Sequence, residues 1–297
     1  MNKKNYLSGL AFGTSAFILW GLLPLYWKLV SAISPYQIFS QRVVWSLVFV
    51  LGILLVTKEW DAFKRLVTQR EMWLKMLGPA VFISINWLTY IWSVNNGYVI
   101  EASLGYYINP LVLTLFGLVL FKERLNGLQW IGILFAATGV IYKTITYGQV
   151  PYVALVLAVS FAIYGVLKKV SKVGSVLGLG FETLIVGIPA FVYLLTQEAS
   201  GHGITGNLPA GFWILISISG LATATPLLLY AESTKRLPLN VMGFLQYIAP
   251  TISLMLGIFV FKEAFDLNSL ISFLLIWTGL LSFSIAQVIA YKELPDL

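Results

Sequence analysis

Two ionisable residues, Arg42 and Glu182, lie inside long apolar runs of this 297-residue chain. An ionised side chain at membrane depth costs about 2.5–3.5 kcal/mol even on translocon-insertion scales, so each needs a partner, a route to the headgroups or a role. Arg42 reads in three ways: snorkelling to the outer headgroups, clamping carbonyls of a neighbouring helix, or binding an anion in a cavity. Glu182 reads either as a structural group or as a cavity-facing site for a proton or a cation. The apolar runs around them place the two residues roughly 13 Å apart in depth, so a direct Arg42–Glu182 pair is not expected. Uncharged polar residues are spaced as informatively. Asn86, Tyr90 and Ser93 fall at intervals of four and three, a single polar stripe on a helix, with Asn95 and Asn96 beyond it. Tyr106, Tyr107 and Asn109 precede Pro110, and Gln246 and Tyr247 precede Pro250. Proline within a helix frees a carbonyl one turn earlier, here that of Tyr106 and of Gln246, and such carbonyls beside polar side chains can coordinate a solute. The same tyrosines and amides can equally tie helices together. Trp20, Pro24 and Trp27 share a helix face, as do Ser160 and Tyr164. Trp45, Trp60, Trp73, Trp130 and Trp213 read as interfacial belts, whereas Trp20 and Trp92 are cavity candidates.

Other chemistry is excluded. Cysteine is absent, which removes thiolate ligands and nucleophiles, and the lone histidine, His202, sits in a loop and can build neither a metal cluster nor a triad. There is no G-x-x-x-x-G-K-[ST] loop to cradle nucleotide phosphates. No catalytic residues, cofactor or metal are expected.

The elements that must position these side chains are legible from hydropathy. The chain is 59% hydrophobic and 10% charged, too apolar to clothe a soluble domain, for which about 25% charged is usual. Ten apolar runs, each long enough to cross a hydrocarbon core, cover 6–27, 36–56, 73–95, 101–121, 127–145, 150–168, 177–195, 211–231, 239–261 and 267–289. The longest connections are the loops Lys58 to Glu71 and Thr196 to Ala210. With the N-terminus cytoplasmic, fifteen of the nineteen Lys and Arg residues fall inside, among them Lys58, Lys64, Arg65, Arg70, Lys122, Arg124, Lys168, Lys169, Lys172, Lys235 and Arg236. Only Lys28, Lys143 and Lys262 face outward. This bias sets both termini in the cytoplasm and turns the net charge of +7 into a topology signal rather than a nucleic-acid one. The first run is longer than a signal-peptide core and lacks a small-residue cleavage site, so it is expected to be retained.

Shifting the chain by 140 residues aligns Leu104 to Gly139 with Phe244 to Gly279, with eleven identities in 36 positions. They include Tyr107/Tyr247, Pro110/Pro250, Gly117/Gly257, Lys122/Lys262, Glu123/Glu263 and Gly139/Gly279, types that shared hydrophobicity does not produce. Two units of five helices, 1–145 and 150–290, would cross the membrane in opposite senses. In such inverted repeats the substrate site lies near the midplane between the halves and access alternates.

The chain resembles the drug/metabolite transporter superfamily, in its ten-helix EamA-type branch and RarD-like group. The resemblance rests on Trp20-Gly21 with Pro24 and Lys28, Arg42 to Ser46, Asn86-Trp87 through Asn95-Asn96, Glu101 to Tyr106 with Asn109-Pro110, Glu182-Thr183, and Gly243 to Ile248 with Pro250. It implies two EamA domains in the cytoplasmic membrane, moving amino acids, drugs or similar metabolites, often outward. By position it points to Trp20, Asn86, Tyr90, Tyr106, Asn109, Tyr164, Thr223 and Gln246 as substrate-binding, and speaks against Arg42 and Glu182, on the second and seventh spans, as direct ligands, leaving them as charge or coupling residues. The expected class is an all-α polytopic membrane protein acting as a secondary transporter on a small-molecule substrate, with the bilayer as partner, no nucleic acid, and a homodimer left open. The rival readings are a membrane scaffold, a receptor-like or lipid-translocating protein, and a membrane-embedded enzyme. The last would need clustered base and nucleophile pairs at membrane depth, which are not seen.

Overall fold

The computed structural model describes residues 3–121, 125–171, 173–234, 236–237, 242 and 245–292. Lys122, Glu123, Arg124, Lys172, Lys235, Gly243 and Phe244 lie outside the described residues, as do the side chains of Lys3, Lys4, Phe121 and Lys169. What is described is helical: α1 Lys3–Leu29, α2 Pro35–Val56, α3 Trp60–Thr68, α4 Arg70–Asn95, α5 Val99–Phe121, α6 Gly127–Tyr147, α7 Tyr152–Ser171, α8 Ser175–Ala199, α9 Gly211–Thr234, α10 Ile248–Met255 and α11 Leu267–Lys292. Eight of these are long and apolar enough to cross a membrane, and Tyr152–Lys168 and Ile248–Val260 are shorter apolar helices at the sixth and ninth predicted spans.

Two expectations need correction. The Lys58 to Glu71 connection is not simply a loop, because α3 occupies most of it. Its Phe63 is buried in a cluster with Val50, Leu54 and Phe181, with Trp60, Leu66 and Val67 against the same cluster, while Asp61 and Lys64 face outward. A nine-residue amphipathic helix has no net hydropathy to register, which is why a search for apolar runs passes over it. The ninth span is not one regular helix either. After α10 the backbone widens into a π segment, Leu256–Val260, and the chain then turns through Lys262 at φ 54°. A π turn spends one extra residue on the same rise, a device common at functional sites.

Helix ends are set by local chemistry. Ser34 accepts from the backbone N–H of Gln37 while the Gln37 side chain accepts from Ser34, with Pro35 at the first helical position of α2. Asn126 and Gln129 do the same at α6, which ends on Gly148 at φ 66°.

The packing follows a reciprocal plan. The helix pair α1 rests on α9 and α10, and α7 rests on α4 and α5; α2 packs on α8 and α6 on α11. The α6/α11 seam is a close one. A Cβ on Gly132 would lie 2.8 Å from the Gly279 carbonyl oxygen, one on Gly279 would lie 2.5 Å from the Gly132 oxygen, and one on Gly139 would lie 2.8 Å from the Ser272 oxygen. Glycine at these points lets two backbones touch, which is how membrane helices gain van der Waals contact when lipid supplies no hydrophobic drive.

Candidate functional site

The core between these helices holds most of the polar side chains singled out by spacing, in separate groups. The first is built around Arg42. From Pro35 to Arg42 is seven residues, or roughly 10 Å into α2, and the side chain is only 4% exposed, so it does not reach the headgroups. Its Nε–H donates to Thr223 Oγ1 of α9 at 3.0 Å. Thr223 in turn donates its hydroxyl proton to the Ser219 carbonyl at 2.9 Å, which fixes the hydroxyl so that a lone pair faces the guanidinium. The guanidinium carbon stands 4.2 Å from the centre of the Trp87 ring and 5.0 Å from that of Trp27. Cation–π contacts are worth about 2 kcal/mol or more each when desolvated, enough for two of them to offset the insertion cost without a carboxylate.

The second group surrounds Glu182, which is 1% exposed. Lys168 Nζ, at the end of α7, donates to its Oε1 at 2.8 Å, and the Tyr164 hydroxyl donates to Oε2 at 3.2 Å. Lys168 and Tyr164 are one turn apart on α7, so both reach the same carboxylate. Arg42 and Glu182 therefore have different partners on different helices and do not meet.

The third group joins α4, α5 and α7. Asn86 Nδ2 donates to the Leu157 carbonyl at 3.0 Å and to Ser160 Oγ at 3.2 Å, while its Oδ1 accepts from the Tyr106 hydroxyl at 3.1 Å. Asn109 Nδ2 donates to the Ala158 carbonyl at 3.0 Å. Tyr90 packs edge-on to Tyr106, their centroids 5.6 Å apart, within the apolar cluster that also holds Trp27, the neighbour of Arg42. Ser93, Asn95 and Asn96 of the predicted stripe turn back to carbonyls of their own helix. Trp20 packs on Phe17 and Tyr230 and borders the apolar cluster that holds Tyr90 and Trp27, and Trp27, seven residues on, lies against Arg42. Gln246 is half-buried just before α10, beside Tyr247, whose ring stacks on Tyr107 at 6.3 Å.

Thus Arg42, Thr223, Tyr90, Tyr106 and Asn86 lie in one region, with Asn109 bonded to the same stretch of α7 as Asn86 and Trp20 at its edge, Tyr164 and Glu182 lie in another, and Gln246 lies outside both. Three participants were not singled out from the sequence as site residues: Trp87, Trp27 as a seat for a cation, and Lys168, which served there as a topology charge. Position on a helix face could have pointed to Lys168, because Tyr164 is one turn before it on the helix that leads into α8. A cavity of about 400 Å³ beside α3, lined by Arg65, Gln69, Met72 and Leu177 among others, contains none of the predicted site residues. Among the described residues no group of three or more His, Cys, Asp or Glu is arranged to hold a metal ion.

The description "EamA-like transporter family" fits the chain twice, over residues 7–144 and 151–285. The chain is 44% identical over 292 residues to the uncharacterized transporter YojE of Bacillus subtilis, covering 97% of both chains. It is 39% identical to protein RarD of Streptomyces exfoliatus, over 92% of this chain and 87% of that one. It is 34% identical to protein RarD of Escherichia coli, over 95% and 96% respectively. A solved structure with 20% identity shares the fold at a TM-score of 0.62, covering 97% of this chain and 100% of that one.

Proposed function

The chain belongs to the EamA-like transporter family and is a multi-pass membrane transporter, and from that premise we propose that it carries small metabolites such as amino acids or drugs, outward or as a facilitator, by alternating access between two inverted five-helix repeats, 1–145 and 150–290. The observation that carries the reading is a set of reciprocal contacts at the 140-residue offset. Gly132 faces Gly279 while Gly139 faces Ser272, so each residue meets the counterpart of the other. Tyr107 stacks on its own counterpart Tyr247, and a Cβ on Gly187 would lie 3.3 Å from Leu47, its own counterpart. A pseudo-two-fold relation between halves gives such pairs without further assumption, and rocking about it exposes a central site to either side. The region of Arg42, Thr223, Tyr90, Tyr106 and Asn86 spans both halves and is the proposed substrate site. With no nucleotide-binding loop, the driving energy is a gradient. Both termini are placed in the cytoplasm by the distribution of Lys and Arg.

Two measurements test this. A reporter inserted after Gly148 should be external and one fused behind Leu297 cytoplasmic; the same side for both would remove the inversion. Purified protein in proteoliposomes should move at least one solute of a metabolite mixture, and Tyr90→Ala should cut that flux at least tenfold at equal insertion, because Tyr90 packs on Tyr106 in the cluster that holds Trp27. Undiminished flux at equal expression would take Tyr90 off the pathway.

A further inference from the structure

The proposed site contains a cation without an anion. Arg42 is buried, its Nε–H is used by Thr223, and none of its remaining N–H groups meets an acceptor among the described residues. The carboxylate that might have neutralised it, Glu182, is paired with Lys168 instead. A second donor beside it is also unused: Trp27 Nε1 is buried with no hydrogen-bond partner among the described residues. Buried donors are ordinarily satisfied, so the open Trp27 Nε1 asks for an acceptor, and the Arg42 Nη edge, which is not fully enclosed, offers a charged fork to an acceptor from outside the chain.

We propose that the substrate is a small monocarboxylate with an apolar or aromatic remainder, its carboxylate held by the Nη pair of Arg42. This deepens the transporter reading and rests on it. The planar guanidinium fork matches two carboxylate oxygens, and with the Nε side held by Thr223 the Nη edge is the part left to receive them. Thr223 is a positioning residue: its hydroxyl, locked by the Ser219 carbonyl, sets the orientation of the fork. One fixed positive charge balances one carboxylate, so the occupied site carries no net charge at membrane depth, whereas a phosphate dianion would leave an excess. The surrounding Trp27, Trp87, Tyr90 and Tyr106 rings supply flat apolar surface for the rest of the molecule.

The test uses isosteres on the full-length protein in detergent, read by tryptophan fluorescence and by thermal shift. Phenylacetate should bind at least tenfold more tightly than phenylacetamide, and phenethylamine and inorganic phosphate should bind no better than the amide. Arg42→Lys, which keeps the charge and loses the fork, should weaken carboxylate binding about tenfold; Arg42→Gln should erase the preference for acid over amide. Equal binding of acid and amide by the unaltered protein overturns the proposal whether or not the variants fold, as does an acid preference that survives in Arg42→Gln. The two readings fail separately. A proteoliposome flux confined to neutral or cationic solutes sinks the carboxylate site and leaves transport standing. Tight acid binding with no flux of any solute leaves the site standing and sinks transport.

Discussion

Lys168→Ala should lower the stability of the protein by about 3 kcal/mol or more, seen as an earlier thermal transition of the purified protein and a smaller inserted fraction. The reason is an asymmetry in the pair. Lys168 stands at the end of α7 with its side chain 19% exposed, while Glu182 is 1% exposed on α8. Without Lys168 the carboxylate retains only the Tyr164 hydroxyl, and breaking a buried pair from one side typically costs about 3–5 kcal/mol because a desolvated charge is left behind. Glu182→Gln should be milder, since the freed lysine is near enough to the helix end to turn outward. The double variant Lys168→Ala/Glu182→Gln should recover most of the loss, because it leaves no charge unbalanced. A Lys168→Ala transition at the parental temperature would mean that the pair carries no structural weight.

A single added methyl group at the α6/α11 seam should be nearly as damaging. In Gly279→Ala the new Cβ would meet the Gly132 carbonyl oxygen at 2.5 Å and the Ala136 backbone nitrogen at 3.1 Å, and backbone atoms cannot rotate aside as a side chain can. Overpacking of this kind costs about 1–3 kcal/mol, and here the two helices must separate along their length to relieve it. Gly52→Ala is the control. Nothing lies within 4 Å of its Cβ position in α2, so the same chemical change should be neutral or stabilising by about 1 kcal/mol through helix propensity. Opposite signs in thermal unfolding are expected, and equal effects would deny the close approach at the seam.

How much of this was legible beforehand depended on what each residue had to report. The membrane helices announced themselves because twenty apolar residues in a row have few other uses, and the ends of the observed α1, α2 and α4 to α9 fall within four residues of the predicted spans. The short α3 did not, because its signal is the arrangement of Trp60, Phe63 and Val67 against charged neighbours rather than any excess of apolar residues. Arg42 and Glu182 were conspicuous by the cost of placing charge in a membrane. Their partners were not, because Thr223 is 181 residues from Arg42 and two of the groups nearest its charge are indole rings, which carry no formal charge to match. Lys168 was hidden for a different reason: a count of charges by side of the membrane records its sign and loses the direction of its side chain. The stripe of Asn86 and Tyr90 was visible in the spacing, yet only the structure separates the amide, which is bonded to the α7 backbone, from the tyrosine ring, which packs edge-on to Tyr106 in the cluster that holds Trp27.

The contact of Leu47 with Gly187 carries a historical implication. If each half descends from one ancestral five-helix unit that assembled with a second, oppositely inserted copy, those two sites were once a single codon, and the residue it encoded faced itself. A leucine would then have collided with a leucine, and a glycine would have left a hole. Only after the gene was duplicated, so that the two copies could vary independently, could one side grow and the other shrink. A fit between unlike neighbours is thus a mark of duplication, and expressing either half alone as a self-pairing unit should restore that ancient conflict.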